Sequence, residues 1–468
     1  RKASSKLAYK LREITNPFLS KQEKVQLSKC AQDIISSSAE PTPLSEELSE
    51  CVRYGTAFHH AGLSNEQRKI IEDAFKKQRL IKCIVATPTL AAGVNIPARR
   101  VIIRDLWRYD QGIGMHPIPV LEYKQQAGRA GRPRFDREGE AITIARNKTQ
   151  RRKIFENYIF AEPEPIYSKL GVEPILRFHI LASIASGFTP DMESLLDFIS
   201  TTFYAYQRET HLLEETIDDV IDFLDANGFI EVYEGRLNAT VFGQKTSKLY
   251  IDPLTALQLK RAVLRYSPED TTSVSIFHAI CSTPDMRSLY MRGEDGWVEE
   301  KFRDIKKKLL LPTPEPMDED YGWFLSNLKT AYLMEDWINE LPEAEICSRY
   351  GVGPGDIRNI VETAEWLLHA MREIARMYRF DMIPELTDLI LRVKHGCKKE
   401  LLDLVRLKNI GRVRARALYA AGFKTINSLR GVPVDRLAQI PSIGKKIALS
   451  IKKQIGEERD KDLMVNGK

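Results

Sequence analysis

Two stretches near the C-terminus carry the same pattern 33 residues apart, and this repeat restricts the fold more tightly than any other feature of the chain. Leu407-Lys408-Asn409-Ile410-Gly411-Arg412-Val413-Arg414-Ala415 and Ile440-Pro441-Ser442-Ile443-Gly444-Lys445-Lys446-Ile447-Ala448 each read as an apolar helix end, a tight glycine turn and a basic helix. A helical turn with surface lysines explains one such segment, but explains two poorly. A glycine that opens a helix N-terminus exposes backbone N–H groups, which bind phosphate without reading sequence. Gly411 and Gly444 are therefore candidate phosphate contacts, with Arg412, Arg414, Lys445 and Lys446 adding charge.

The charge distribution points the same way. The 468 residues hold 70 Lys and Arg against 64 Asp and Glu, a net +6. Between Arg392 and Lys453 there are sixteen basic residues and only Glu400, Asp403 and Asp435 as acids, a local +13 that leaves −7 for the rest. A basic module on an acidic body suits a polyanion. No segment approaches the roughly 20 apolar residues of a membrane span, and the N-terminus lacks the apolar core of a secretory signal. Six scattered cysteines form no C-x-x-C pair and no Cys/His cluster, so neither a metal site nor a disulfide framework is expected. The expected setting is the cytoplasm.

Texture divides the chain. Residues 1–160 mix helical periods with β-rich runs such as Lys82–Ala86 and Arg100–Ile103, which predicts an α/β layer around a parallel sheet. The run Ala161-Glu162-Pro163-Glu164-Pro165 marks a boundary. Residues 161–252 read as helices followed by a small hairpin (Phe229–Tyr233 and Leu237–Val241), the pattern of a winged helix that either binds nucleic acid or, the favoured reading, braces its neighbours. Residues 253–390 read as helical almost throughout, 391–454 hold the basic repeat, and 455–468 form a polar tail expected to fray. The predicted fold class is multidomain α/β plus α. An α/β sheet normally starts on a strand, whereas this chain starts on a helical pattern, so its first strand is expected upstream of residue 1.

Three segments of the α/β part draw attention. After the apolar run ending in His59-His60-Ala61-Gly62-Leu63, Ser64 and Gln67 form a capping box for a helix to about Lys77. The strand Ile81–Ala86 leads to Thr87 as helix cap, Pro88 at the first helical position and Gly93 just past a short helix. Gln125, Arg129 and Arg132 stand at i, i+4 and i+7, so a helix running to Pro133 would align all three on one face. Two converging guanidiniums suit a phosphate; a solvated basic face is the bland alternative.

Between the last two segments, Arg104–Val120 has apolar arms around a glycine-containing turn, a hairpin signal. Trp107, Tyr109, Ile113 and Met115 lie on it, either packed on the local core or presented to a ligand. Farther on, Asp356 can cap a long helix to about Arg376. Trp366 stands eight residues after Arg358 and seven after Asn359, so either partner can share its face, and a buried tryptophan is the competing reading.

Together, His59–Leu63, Ala86–Asn95 and Gln125–Arg132 resemble three consecutive motifs of the second motor lobe of superfamily 2 helicases, and the chain closely resembles the archaeal Hjm (Holliday junction migration) DNA helicases. The resemblance spans essentially the whole chain as a RecA-like lobe, a winged helix, a helical ratchet bundle and a tandem helix-hairpin-helix tail. It implies that Arg129 and Arg132 reach the γ-phosphate of ATP, one as an arginine finger, with Gln125 and Gly93 on the nucleotide side. It implies that Thr87 and Thr89 touch the DNA backbone. It also implies that the hairpin wedges into a duplex through Trp107, Tyr109 and Met115. The ratchet helix would grip a strand through Arg358 or Asn359 and stack Trp366 on a base.

No G-x-x-x-x-G-K-[ST] phosphate loop and no D-E-x-H or D-E-A-D segment occurs, so the first motor lobe and its Mg²⁺ ligands are expected elsewhere, and this chain alone is expected not to turn over ATP. The reading is the C-terminal part of a 3′→5′ DNA helicase for forked or branched DNA, with the first lobe in cis and replication or repair proteins as partners, associated with the nucleoid. Its alternatives are an RNA helicase of the same superfamily and a non-catalytic nucleic-acid-binding fragment.

Overall fold

The computed structural model describes residues 2–37, 40, 42–88, 96–110, 114–131, 136–207 and 210–465. They divide into two compact units: Arg1–Ile166 with Val352–Asp356, and Tyr167–Gly351 with Ile357–Lys468. The fold is multidomain, α/β followed by α.

The first unit opens with α1 (Lys2–Thr15), α2 (Lys21–Ser36) and α3 (Pro43–Arg53). α1 and α3 pack on β1 (Thr56–His59) and α2 packs on α3; β1 pairs in parallel with β2 (Cys83–Ala86), Phe58 opposite Val85. The connection is α4 (Asn65–Lys76), started by the expected capping box: Ser64 Oγ accepts the Gln67 N–H, and Gln67 Oε1 accepts the Ser64 N–H, each at 3.2 Å. The second strand begins two residues later than expected, because Lys82 N–H turns aside to the Gly55 carbonyl (2.8 Å). A second parallel ladder joins β3 (Arg100–Ile103) to β6 (Glu140–Thr143). Between them lie the antiparallel hairpin β4 (Trp107–Asp110) and β5 (Gly114–Pro117), then α5 (Val120–Ala127). α6 (Lys148–Ile154) follows and continues into a π-helical turn, Phe155–Ile159. Leu106 and Ile118 at the hairpin's root share a small core with Ile103, Tyr123, Ile154 and Tyr158.

In the second unit, α7 (Glu173–Ala185), α8 (Met192–Ser200), α9 (Phe203–Gln207) and α10 (Thr210–Ala226) precede the hairpin β7 (Ile230–Tyr233) and β8 (Arg236–Ala239). The second arm stops short of the expected Val241, because Thr240 caps α11 (Val241–Leu249) by accepting the Gly243 N–H. The bundle follows as α12 (Pro253–Leu264), α13 (Ser273–Cys281), α14 (Trp297–Ile305), α15 (Tyr321–Ile338), α16 (Glu343–Tyr350), α17 (Pro354–Tyr378) and α18 (Ile383–His395). Arg177 on α7 is buried and forks onto the Asp252 carboxylate (2.9 and 3.0 Å), which itself caps α12. Inside the bundle Lys329 of α15 is fully buried against Asp295 (2.5 Å) and also donates to the Tyr290 carbonyl (3.0 Å). Burial alone would raise the Asp295 carboxyl; Lys329 and the Arg292 N–H outweigh it and hold the group below the ordinary carboxylate range.

The tail module comprises α19 (Arg412–Ala420), α20 (Val434–Ala438) and α21 (Lys445–Val465) around its own apolar core. Its last helix runs to Val465 rather than ending near Lys453. The module is fixed to the bundle by Arg412. That guanidinium lies 4.2 Å from the Trp337 ring centroid and donates to the Trp337, Leu341 and Gly396 carbonyls at 3.4, 3.2 and 3.5 Å. Arg416 adds a two-pronged bond to Glu340 (2.6 and 2.7 Å) and one to Glu400 (2.9 Å).

Three stability predictions follow from these buried groups. Lys329→Met strands the Asp295 charge and lowers the unfolding free energy by about 3–5 kcal/mol in urea titrations, and a second change, Asp295→Leu, recovers much of it. Arg412→Ala leaves three carbonyls without their charged donor and costs about 2–3 kcal/mol, against less than about 0.5 kcal/mol for Lys445→Ala on the surface. Burial alone holds His278 down to about 4, against an ordinary 6.5. Protons therefore bind the unfolded chain first: the contribution of His278 is intact above pH 6.5 and is lost as pH falls toward 4. Urea unfolding of the wild type and His278→Gln between pH 7 and 4 should differ in slope by about 1.4 kcal/mol per pH unit in that window.

Candidate nucleic-acid interface

In the first unit His59 and His60 are buried and serve the fold. His59 is buried with Nε2 3.1 Å from Glu72, and burial pushes its pKa down against the pull of that carboxylate. His60 stacks on Phe58 and accepts the Gly62 N–H (3.1 Å). The main chain of this loop meets Val352–Asp356, the remote segment of the same unit: the Gly355 N–H donates to the Gly62 carbonyl (3.0 Å). A Cβ on Gly355 would collide with the Ala61 and Leu63 carbonyls, and one on Gly353 would lie 2.7 Å from the Gly62 carbonyl. Only glycine lets two backbones approach this closely.

Thr87 is half-buried after β2, its N–H donating to the His59 carbonyl (3.1 Å). Thr89, Gly93 and Arg132 lie outside the described residues. The expectation of one helix carrying Gln125, Arg129 and Arg132 is corrected: α5 ends at Ala127, Gln125 is exposed on its last turn, and Arg129 sits in the turn beyond. The cause is long-range pairing. The Ala98 N–H donates to the Arg129 carbonyl (3.0 Å) and the Gly131 N–H to the Ala98 carbonyl (2.7 Å), which pulls the chain off the helix axis. Gly131 takes up the bend at φ +91°. The helix begins where the Glu164 carboxylate accepts the Val120 and Leu121 N–H groups, an N-terminal cap that sequence proximity does not reveal.

The expected hairpin is present. Trp107 pairs with Pro117 and Tyr109 with Met115 in the ladder, and Trp107, Met115 and Pro117 share one face. Trp107 is 54% and Met115 62% exposed, which removes the core-packing alternative for Trp107. Arg108 on the opposite face is paired with Glu122.

On α17, Asp356 lies within the first turn and reaches back to accept the Gly353 N–H (2.9 Å). Arg358 is exposed but bonded to Glu362 (2.8 Å), whereas Asn359 is exposed. Trp366 is half-buried, and its indole N–H donates to the Leu249 carbonyl at the end of α11 (3.1 Å). One edge of that ring therefore serves the fold.

The repeat in the tail is a close structural duplicate. Asn409 and Ser442 both take left-handed backbone (φ +68° and +64°), Ile410 and Ile443 are both buried, and Gly411 and Gly444 both stand exposed before their helices. Asparagine tolerates that conformation; serine at the second site gave no such signal. A Cβ at Gly411 or Gly444 would meet nothing within 4 Å, and Gly411 has an ordinary φ of −84°. Neither glycine is demanded by internal packing; both keep a helix N-terminus bare. Lys445 and Lys446 are exposed beside the second turn. Arg414 is partly engaged, bracing Asn409 O (2.8 Å) and Ser442 O (3.1 Å) across the two turns. Arg412 is the correction here: it points inward to the carbonyl cup, not to a ligand.

Gln125 and Arg129 offer an amide and a guanidinium suited to phosphate oxygens. Among the described residues, no group of three His, Cys, Asp or Glu side chains is placed to hold a metal ion, and no helix is long and apolar enough to cross a membrane.

Residues 25–134 match the family model "Helicase conserved C-terminal domain", 274–396 match "Archaeal helicase, domain 4", and 401–457 match "SAM-like Helix-hairpin-helix tandem". A protein of Methanocella arvoryzae named ATP-dependent DNA helicase Hel308 is 45% identical over 98% of this chain and 62% of its own length. Proteins with the same name from Pyrococcus horikoshii (42% over 98% of the chain and 63% of the relative) and Pyrococcus abyssi (43% over 90% and 59%) are also similar. The chain is thus similar, over nearly all its residues, to proteins named ATP-dependent DNA helicase Hel308, and spans about three fifths of their length.

Proposed function

We propose that this chain is the C-terminal part of an archaeal Hjm-type, ATP-dependent 3′→5′ DNA helicase that opens forked or branched DNA during replication-coupled repair. One observation carries the reading: 98% of the chain, hairpin and twin glycine turns included, aligns with a protein named a DNA helicase. In this reading residues 1–160 are the second motor lobe, 161–252 a winged helix, 253–390 the ratchet bundle and 391–454 the helix-hairpin-helix module. ATP binds against a first lobe in cis that supplies the phosphate loop and the Mg²⁺ ligands. Arg129 and Arg132 reach the γ-phosphate with Gln125, and Gly93 lines the nucleotide side. Held outside water, a guanidinium there stabilises charge developing on the transferred phosphoryl group.

The DNA side is assembled from separate elements. Thr87 and Thr89 contact the backbone, Trp107, Tyr109 and Met115 pry at the terminal base pair, and the exposed Asn359 with Arg358 and Trp366 tracks one strand. Gly411 and Gly444 offer main-chain N–H groups to phosphates, with Lys445, Lys446 and Arg414 adding charge; Arg412 is excluded from this set by its burial. Such a protein works in the cytoplasm at the nucleoid, alongside replication and repair proteins, and the chain without its first lobe does not turn over ATP.

The test is equilibrium binding of this chain to a 3′-tailed fork, made once of DNA and once of RNA, over a salt series. The DNA fork should bind more tightly, with a steep salt slope. Gly411→Ala/Gly444→Ala should weaken it about ten-fold or more while changing stability by no more than about 1 kcal/mol per site. Preference for the RNA fork would sink the DNA assignment, and full affinity in the double variant would remove the tail from the interface.

A further inference from the structure

The first unit carries a second basic feature. Arg146, Lys148, Arg151, Arg152 and Lys153 fall within eight residues, and all five are exposed. The local backbone is firmly set: Asn147 caps α6 by accepting the Gln150 N–H (2.8 Å), and Gln150 Oε1 accepts the Arg146 N–H (2.7 Å). Lys148, Arg151 and Arg152 stand at i, i+3 and i+4 and so share a face. Among the described residues, one of the five makes an ion pair, Arg152 with Glu156 (2.9 Å). Arg151 rests loosely over Phe155, 5.7 Å from the ring centroid.

What gives this cluster meaning is its seat. Ile154 at the end of α6 and Tyr158 in the π turn are buried in the same small core as Leu106 and Ile118, the two residues that flank the hairpin. The Tyr158 hydroxyl donates to the Ile118 carbonyl (3.0 Å), and Lys124 of α5 donates to the Ile159 carbonyl (2.7 Å). The basic helix and the exposed Trp107–Met115 face are therefore mounted on one rigid base. Lys148 and Arg152 are separated by roughly 6 Å of helix rise, a span that crosses more than one phosphate of a duplex carrying one charge per about 1.7 Å of its axis.

We infer that Arg146, Lys148, Arg151, Arg152 and Lys153 form a binding site for the phosphate backbone of duplex DNA beside the root of the hairpin. The inference rests on the nucleic-acid reading above and deepens it. The tail takes phosphates through main-chain N–H groups; this site takes them through long cationic side chains, and it holds the unopened duplex while the hairpin face meets the end base pair.

The experiment compares wild type with Lys148→Ala/Arg151→Ala/Arg152→Ala for blunt duplex DNA and for single-stranded DNA, each over a salt series. The triple variant should lose about ten-fold or more in duplex affinity at low salt, and its duplex salt slope should fall by about 2–3. Single-strand affinity should change less than about two-fold. The conservative variant Lys148→Arg should keep wild-type duplex binding, and thermal melting shows that each variant is folded. An unchanged duplex slope overturns the site, and so does an equal loss on single strands, which marks a general charge effect. Failure of the wild type to bind any DNA overturns the nucleic-acid reading and the site with it. Loss in the Gly411→Ala/Gly444→Ala variant alone overturns only the site.

Discussion

Lys329 is buried at 1% exposure, and that burial organises the helical part of the molecule. A buried ammonium is tolerable only with a countercharge and further acceptors in place, and Asp295 and the Tyr290 carbonyl supply them. The pair fixes α15 in rotation, and α13, α14, α16 and α18 pack around that helix. The end of α15 then presents the Trp337 ring and carbonyl, with the Leu341 carbonyl just beyond, as the cup in which Arg412 sits. The position of the tail module is therefore inherited from a charge pair buried in the bundle.

Much of the fold was legible because its signals are local. Ser64 and Gln67 form a capping box whatever else the chain does, the Arg104–Val120 hairpin is written in alternation and a turn, and the 33-residue repeat is visible to the eye. What sequence missed was set by distant partners. Spacing placed Gln125, Arg129 and Arg132 on one helix, but Ala98 competes for that backbone and wins. Arg412 looked like a phosphate ligand because its three carbonyl partners come from stretches between 16 and 75 residues away. Periodicity could not choose between Arg358 and Asn359, since the Arg358–Glu362 pair is a matter of side-chain geometry.

Net charge also needs its geography. The +13 between Arg392 and Lys453 overstates what a polyanion meets. Lys394 pairs with Glu365, Lys399 with Asp388, Arg406 with Asp403 and Arg416 with both Glu340 and Glu400, while Arg412 is buried. Surface pairs of this kind contribute little to stability, but they lower the field that reaches solvent. Among the described residues, the α6 cluster, less conspicuous in the sequence, has one ion pair among five cations.

The two halves of the tail repeat superimpose in pattern yet answer to different constraints. At the first position after the glycine, one copy holds Arg412 against three carbonyls and an indole face, and the other holds Lys445 in solvent. A planar fork with five donors fits the former, and an ammonium cannot replace it there; almost any cation serves the latter. Duplicated elements are usually ranked by how well their sequences match. Here divergence at matching positions would be the mark of a working pair: one copy is free to drift wherever charge is kept, while the other is locked by shape.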